Sequence, residues 1–232
     1  MAGQPIAVVL ASGGMDSCVL VALAAQEHEV AMLHADYGQR TMAREKRAFD
    51  AIADFYRVPP GRKLTVDLRH LAAMGGSALT DPAIPVPEGR LDRDGIPASY
   101  VPFRNANLLA AATSWAEVLG ATSLFFGAME EDNSGYPDCR SAFIEAFDHV
   151  IEVGTRPETR IAVVAPLLHL TKAEVVRRGI ALDAPFHLTW SCYQAEDVAC
   201  GRCDSCLLRL RGFQEAGVPD PIPYASAGTS RQ

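Results

Sequence analysis

The segment Ile6–Ser17, IAVVLASGGMDS, constrains the fold of this chain more than any other. Its first six residues form a continuous apolar run rich in β-branched side chains, which suits a strand buried on both faces. Ser12-Gly13-Gly14 breaks that run, and Ser17–Gln26 then has the composition of a helix. A buried strand, a glycine turn and a helix open a βαβ unit, and the rhythm continues. Strands are expected at Glu29–Ala35, Lys63–Leu68, Ser123–Gly127 and Ile161–Ala165. Helical spacing covers Gln39–Arg57, Arg104–Leu119 and Cys139–Val153. Thr171-Lys172-Ala173-Glu174 has the hydroxyl-x-x-carboxylate spacing of a capping box and starts a helix through about Arg178. The expected fold is α/β, a Rossmann-like parallel sheet with helices on both faces. Gly75–Pro102, with five prolines and four glycines, reads as a long loop of the kind that tends to be functional or mobile.

Composition excludes several functions. The chain of 232 residues is 49% hydrophobic and 21% charged, enough for a substantial core and ill-suited to disorder. Its 21 basic against 28 acidic residues leave a formal charge of −7, so no direct nucleic-acid partner is expected. The N-terminus lacks the basic stretch and cleavage site of a signal peptide, and no apolar run approaches the roughly 20 residues of a spanning helix. The expected setting is cytoplasmic, away from membranes.

In a reducing compartment, four clustered cysteines read as a metal site before they read as disulfides. Cys192, Cys200, Cys203 and Cys206 supply enough thiolates for a closed, structural zinc centre. An iron–sulfur cluster is the rival, although no Cys-Pro follows the run as in many ferredoxin-type motifs. The expected organisation is an α/β domain over residues 1–184, with a small zinc-binding C-terminal region over 185–232 packed on it. Cys18 and Cys139 read as ordinary buried thiols.

A glycine turn between the first strand and the first helix is a ready anion cradle, because backbone N–H groups and the helix dipole converge there. The turn is neither a Walker A loop, since GxxxxGK[ST] is absent, nor a dinucleotide GxGxxG fingerprint. Taken alone, the Gly-Gly pair reads first as a structural turn with Asp16 as a cap. The complete Ser12-Gly-Gly-Met-Asp-Ser17, however, resembles the PP-loop of ATP pyrophosphatases. That resemblance implies the adenine nucleotide alpha hydrolase-like version of the fold, and cleavage of ATP between its α- and β-phosphates.

Three further motifs narrow it: Asp36-Tyr-Gly-Gln-Arg40, Tyr100-Val-Pro-Phe-Arg-Asn105, and Gly127–Arg140 with its Asp132, Ser134, Tyr136, Asp138 and Arg140. With the cysteine pattern, they make the chain resemble the 7-cyano-7-deazaguanine synthases, the QueC family of PP-loop ligases in the queuosine precursor pathway, from about Ile6 to Pro219. The resemblance implies that ATP activates 7-carboxy-7-deazaguanine, that ammonia displaces AMP to give an amide, and that a second adenylation yields the nitrile. It implies ATP with magnesium, one zinc, and a homodimer. It places nucleotide binding on Leu10, Ala11, Ser12, Gly13, Gly14, Met15, Asp16, Ser17, Cys18, Val19 and Leu20, with Asp16 and Lys172 catalytic. The zinc maps to Cys192, Cys200, Cys203 and Cys206. Arg104 and Arg140 are expected to meet the substrate carboxylate or a phosphate, and Asp132 or Asp138 the guanine-like amino edge, with Asn105, Ser134 and Tyr136 nearby. The rivals are a PP-loop enzyme with another acceptor (a tRNA thiolase, or a transferase that attaches the base to protein) and a binding module without catalysis. His34 departs from the usual apolar or aromatic residue before the Asp-Tyr-Gly-Gln run.

Overall fold

Five parallel strands, β1 (Ile6–Leu10), β2 (Glu29–Asp36), β3 (Lys63–Asp67), β4 (Ser123–Phe125) and β5 (Ala162–Val164), form one sheet in the order β3-β2-β1-β4-β5. This computed structural model describes residues 3–89, 95–130 and 136–225. The strand order reverses between β1 and β4, and ligands of open α/β sheets bind beyond the carboxyl ends of the strands at such a switch point.

The helices among the described residues are α1 (Met15–Ala24), α2 (Met42–Phe55), α3 (His70–Met74), α4 (Arg104–Leu119), α5 (Ser141–Gly154), α6 (Lys172–Ala181) and α7 (Asp204–Ala216). Alternate residues of β1 serve opposite layers. Ala7, Val9 and Ala11 pack with α1, α2 and α6, whereas Val8 and Leu10 pack with α4 and α5. Burial on both faces is why this strand is apolar without alternation.

Helix starts reflect local chemistry. α1 begins at Met15, two residues before the expected position, because the extended Gly14 (φ −78, ψ 172) is its N-cap; Asp16 lies inside the first turn and does not cap it. The capping box at α6 forms as its spacing indicates: Glu174 N–H donates to Thr171 Oγ1, and Thr171 N–H donates to the Glu174 carboxylate. α6 runs on to Ala181, and α5 starts at Ser141, two residues later than expected. At α4 the N-cap Phe103 is left-handed (φ 56), and the carboxylate of Asp138 accepts the Asn105 N–H from another part of the chain.

The C-terminal region contains a full helix that its Cys- and Arg-rich composition does not advertise. α7 lies against α6, and Phe213 meets Phe186 edge-on within the core beneath α1 and α6. A separate apolar cluster joins Ala48 of α2 and Ala78 and Val86 of the long loop to Trp190 and three of the four cysteines, Cys192, Cys203 and Cys206. Arg40 organises that loop, donating to the carbonyls of Ala78, Asp81 and Ile84 at 2.8–2.9 Å.

Candidate active site

At the switch point the chain leaves β1 as Ala11-Ser12 and β4 as Phe126-Gly127, and a cavity opens between them. Leu10, Ala11, Ser12, Gly14, Met15, Asp16 and Ser17 line it. Gly13 turns the loop with φ +88, and a Cβ there would come within 2.5 Å of the Glu45 carbonyl oxygen of α2. Both the left-handed backbone and the close approach demand glycine. Ser12 Oγ accepts the Gly14 N–H at 3.2 Å, and Ser17 Oγ donates to the Gly14 carbonyl at 3.0 Å. The Trp190 N–H donates to the Gly13 carbonyl at 2.9 Å, so the C-terminal region holds this loop directly. Cys18, Val19 and Leu20 point away into the core.

Lys172, at the first position of α6, is buried, and its Nζ donates to both oxygens of Asp16 at 2.9 and 3.0 Å. The lysine is 8% exposed and the aspartate 34%, so the pair opens toward the cavity on its acidic side. Gly212 of α7 makes room for this lysine, since a Cβ there would sit 2.4 Å from Lys172 Cγ. A buried ammonium beside a helix N-terminus and a glycine loop is a strong attractor for phosphate oxygens.

The other end of the cavity is aromatic and cationic. Arg104 lies over the Tyr37 ring, 5.3 Å from its centroid, and donates to the Tyr37 hydroxyl at 3.3 Å. Tyr136 and Tyr193 also line this end. Burial pushes the Tyr37 phenol up to about 12 and raises those of Tyr136 and Tyr193, so all three are neutral donors near pH 7. Asn105 Nδ2 donates to the Asp138 carbonyl and to Cys139 Sγ, both at 3.2 Å, and burial lifts the Cys139 thiol to about 12. Cys139 is therefore a neutral wall of the cavity rather than a nucleophile.

Of the residues singled out from sequence, Asp16, Lys172, Arg104, Asn105 and Tyr136 come together in this cavity. Arg140 is exposed and Asp138 is engaged at the start of α4; neither belongs to the lining. Asp132 and Ser134 fall outside the described residues. Sequence reasoning did not single out His34, Tyr37, Glu45, Ser191, Tyr193 and Arg209 as site residues, yet all line the cavity. Tyr37 carried a signal, because it follows the carboxyl end of a strand. His34 Nδ1–H donates to the Ala11 carbonyl at 3.1 Å, and burial lowers its pKa, so the ring is a neutral prop under the loop.

The four sulfurs of Cys192, Cys200, Cys203 and Cys206 lie within 4.8 Å of one another, and none is in a disulfide. Tetrahedral zinc with bonds of about 2.3 Å places its sulfurs about 3.8 Å apart, so the set fits that ion with modest contraction. Backbone N–H groups of Gln194, Ala195 and Cys200 point at Cys192 Sγ from 3.3–3.4 Å, an arrangement that favours thiolate. An ion held by all four would have a closed coordination shell, as in structural sites.

Fold and site together define an α/β protein with a polar cavity at its switch point and a C-terminal cysteine cluster that could hold a metal. Residues 6–217 match the family described as queuosine biosynthesis protein QueC. The chain is 55% identical to the 7-cyano-7-deazaguanine synthase of Chloroherpeton thalassium, covering 94% of this chain and 96% of that protein. It is 56% identical to the synthases of Chlorobaculum tepidum and Chlorobium chlorochromatii, again over 94% of this chain and over 96% and 95% of those proteins. The chain belongs to the QueC family and is a ligase-type enzyme of queuosine precursor synthesis.

Proposed function

We propose that the chain converts 7-carboxy-7-deazaguanine and ammonia to 7-cyano-7-deazaguanine at the expense of two ATP. The observation that carries this reading is one cavity with two chemically distinct ends: a glycine loop with Lys172 and Asp16, and an arginine ringed by neutral tyrosines. In the first adenylation, a carboxylate oxygen attacks the α-phosphorus and pyrophosphate leaves. The N–H groups of the Ser12–Ser17 loop and Lys172 take up the charge on the leaving group. Arg104 orients the acceptor's carboxylate, since a guanidinium fork matches two oxygens in one plane. Ammonia then adds to the acyl carbon, loses a proton and expels AMP. The resulting amide oxygen attacks a second ATP, and loss of AMP with the remaining amide protons leaves the nitrile.

Magnesium, entering with ATP, neutralises phosphate charge; the oxygen ligands of Asp16 suit it. Zinc on Cys192, Cys200, Cys203 and Cys206 holds the module that supplies Trp190 to the loop. Free clustered thiols suit a reducing compartment, in keeping with action in the cytoplasm, and no helix among the described residues is long and apolar enough to cross a membrane. The homodimer follows the family resemblance and is checked by light scattering. The test is mass spectrometry of a reaction with magnesium-ATP, ammonium and 7-carboxy-7-deazaguanine. Nitrile with AMP and pyrophosphate is the expected result. AMP without nitrile would move the acceptor to another molecule, and neither product would favour a binding module.

A further inference from the structure

Two carboxylates line the cavity among the described residues, Asp16 and Glu45. Asp16 is paired with Lys172. Glu45, in the first turn of α2, is held by two neutral donors: Gln39 Nε2 at 3.1 Å on one oxygen and Thr41 Oγ1 at 3.0 Å on the other. Gln39 is fixed in turn, donating to the Ala35 carbonyl and accepting the Tyr37 N–H. The carboxyl is therefore pre-positioned beside the Tyr37–Arg104 end. Each of its oxygens keeps lone-pair capacity beyond the one bond it accepts. Its backbone carbonyl abuts Gly13, so its distance from the phosphate loop is set by the fold.

We infer that Glu45 is the specificity residue that reads the acceptor, its carboxylate accepting the N1–H and 2-amino hydrogens of the guanine-like edge. This rests on the deazaguanine reading above. Two parallel N–H donors on a planar edge match a carboxylate as a guanidinium does. They would also supply the donors that a buried carboxylate lacks, and burial already raises the pKa of Glu45. Of the two sequence-based choices for this contact, Asp132 lies outside the described residues, and Asp138 is engaged at the α4 start and is absent from the lining.

The test compares two acceptors, 7-carboxy-7-deazaguanine and the same ring bearing hydrogen in place of the 2-amino group. Wild-type enzyme should prefer the first by roughly 100-fold in kcat/KM, as expected when a charged acceptor loses its donor. Glu45→Gln should shrink that preference to about threefold or less through the acceptor's KM, with the KM for ATP within about twofold of wild type. Equal wild-type rates on the two acceptors would overturn the inference, and that comparison decides even if the variant fails to fold. Equal losses on both acceptors, or a parallel rise in the KM for ATP, would make Glu45 a mere support of α2. Absence of AMP with either acceptor in wild-type enzyme would instead overturn the functional reading itself.

Discussion

Two cation–carboxylate pairs lie near the glycine loop, and they differ in exposure. Lys172–Asp16 joins α6 to the loop with its acidic side open to the cavity, 34% exposed. Arg209–Asp220 is sealed, at 1% and 4% exposure, with Arg209 also bonded to Thr189 Oγ1 at 2.6 Å and to the Phe186 carbonyl. The open pair can rearrange when an anion arrives, whereas the sealed Arg209 is engaged with Asp220 and with Phe186, Thr189 and Ser191 of the segment that carries Trp190. The same kind of pairing thus leaves one carboxylate open to a cavity and seals the other within the fold, and solvent access separates the two.

Mutation sharpens that contrast. Lys172→Met is expected to lower kcat/KM for pyrophosphate release by roughly 10²–10³-fold while the melting temperature moves little, because the Asp16 it abandons is partly hydrated. Asp16→Ala is harsher on the fold, since it strands a buried ammonium; Asp16→Asn keeps an acceptor there and is the cleaner probe, and pyrophosphate assay beside calorimetry distinguishes them. Arg209→Met should act chiefly on stability, costing about 3–5 kcal/mol by leaving Asp220 buried without its cation, which denaturant titration reads directly. An Arg209→Met that loses far more stability than activity, beside a stable, inactive Lys172→Met, would confirm the division; the opposite pattern would break it.

His34 supplies a pH test of the loop's support. Its folded pKa lies below the ordinary 6.5 because burial disfavours the charged ring. Its contribution is therefore complete above pH 6.5 and is lost as the pH falls from there toward the lower folded value. Replacing His34 with Asn should flatten the acid side of the stability profile measured by thermal melts. The smallest effect is expected at Thr171→Ala, which removes the hydroxyl of the α6 cap for about 1 kcal/mol and leaves Lys172 in place; urea melts resolve it.

Much of the sheet was legible because β1 and β2 are buried on both faces and carry that fact in their composition. The glycine loop was legible because backbone geometry demands glycine wherever α2 crosses it. Lys172 was singled out through the family resemblance and not by its local pattern, which reads as a first-turn lysine; its burial depends on Gly212, forty residues away, which no local pattern reveals. α7 was hidden because its buried positions are Cys206, Arg209, Gly212 and Phe213 rather than a stripe of aliphatics. Glu45 gave no signal, because a glutamate in the first turn of a helix is ordinary until the fold turns it inward.

The Trp190–Gly13 hydrogen bond ties the glycine loop to a residue that the ribosome adds much later. While the ribosome has delivered only the sheet and α6, the glycine loop exists without that amide and without the Arg209 network behind it. The settled geometry of the loop is thus acquired only once residue 190 has been made, and a product cut short before Trp190 would lack it.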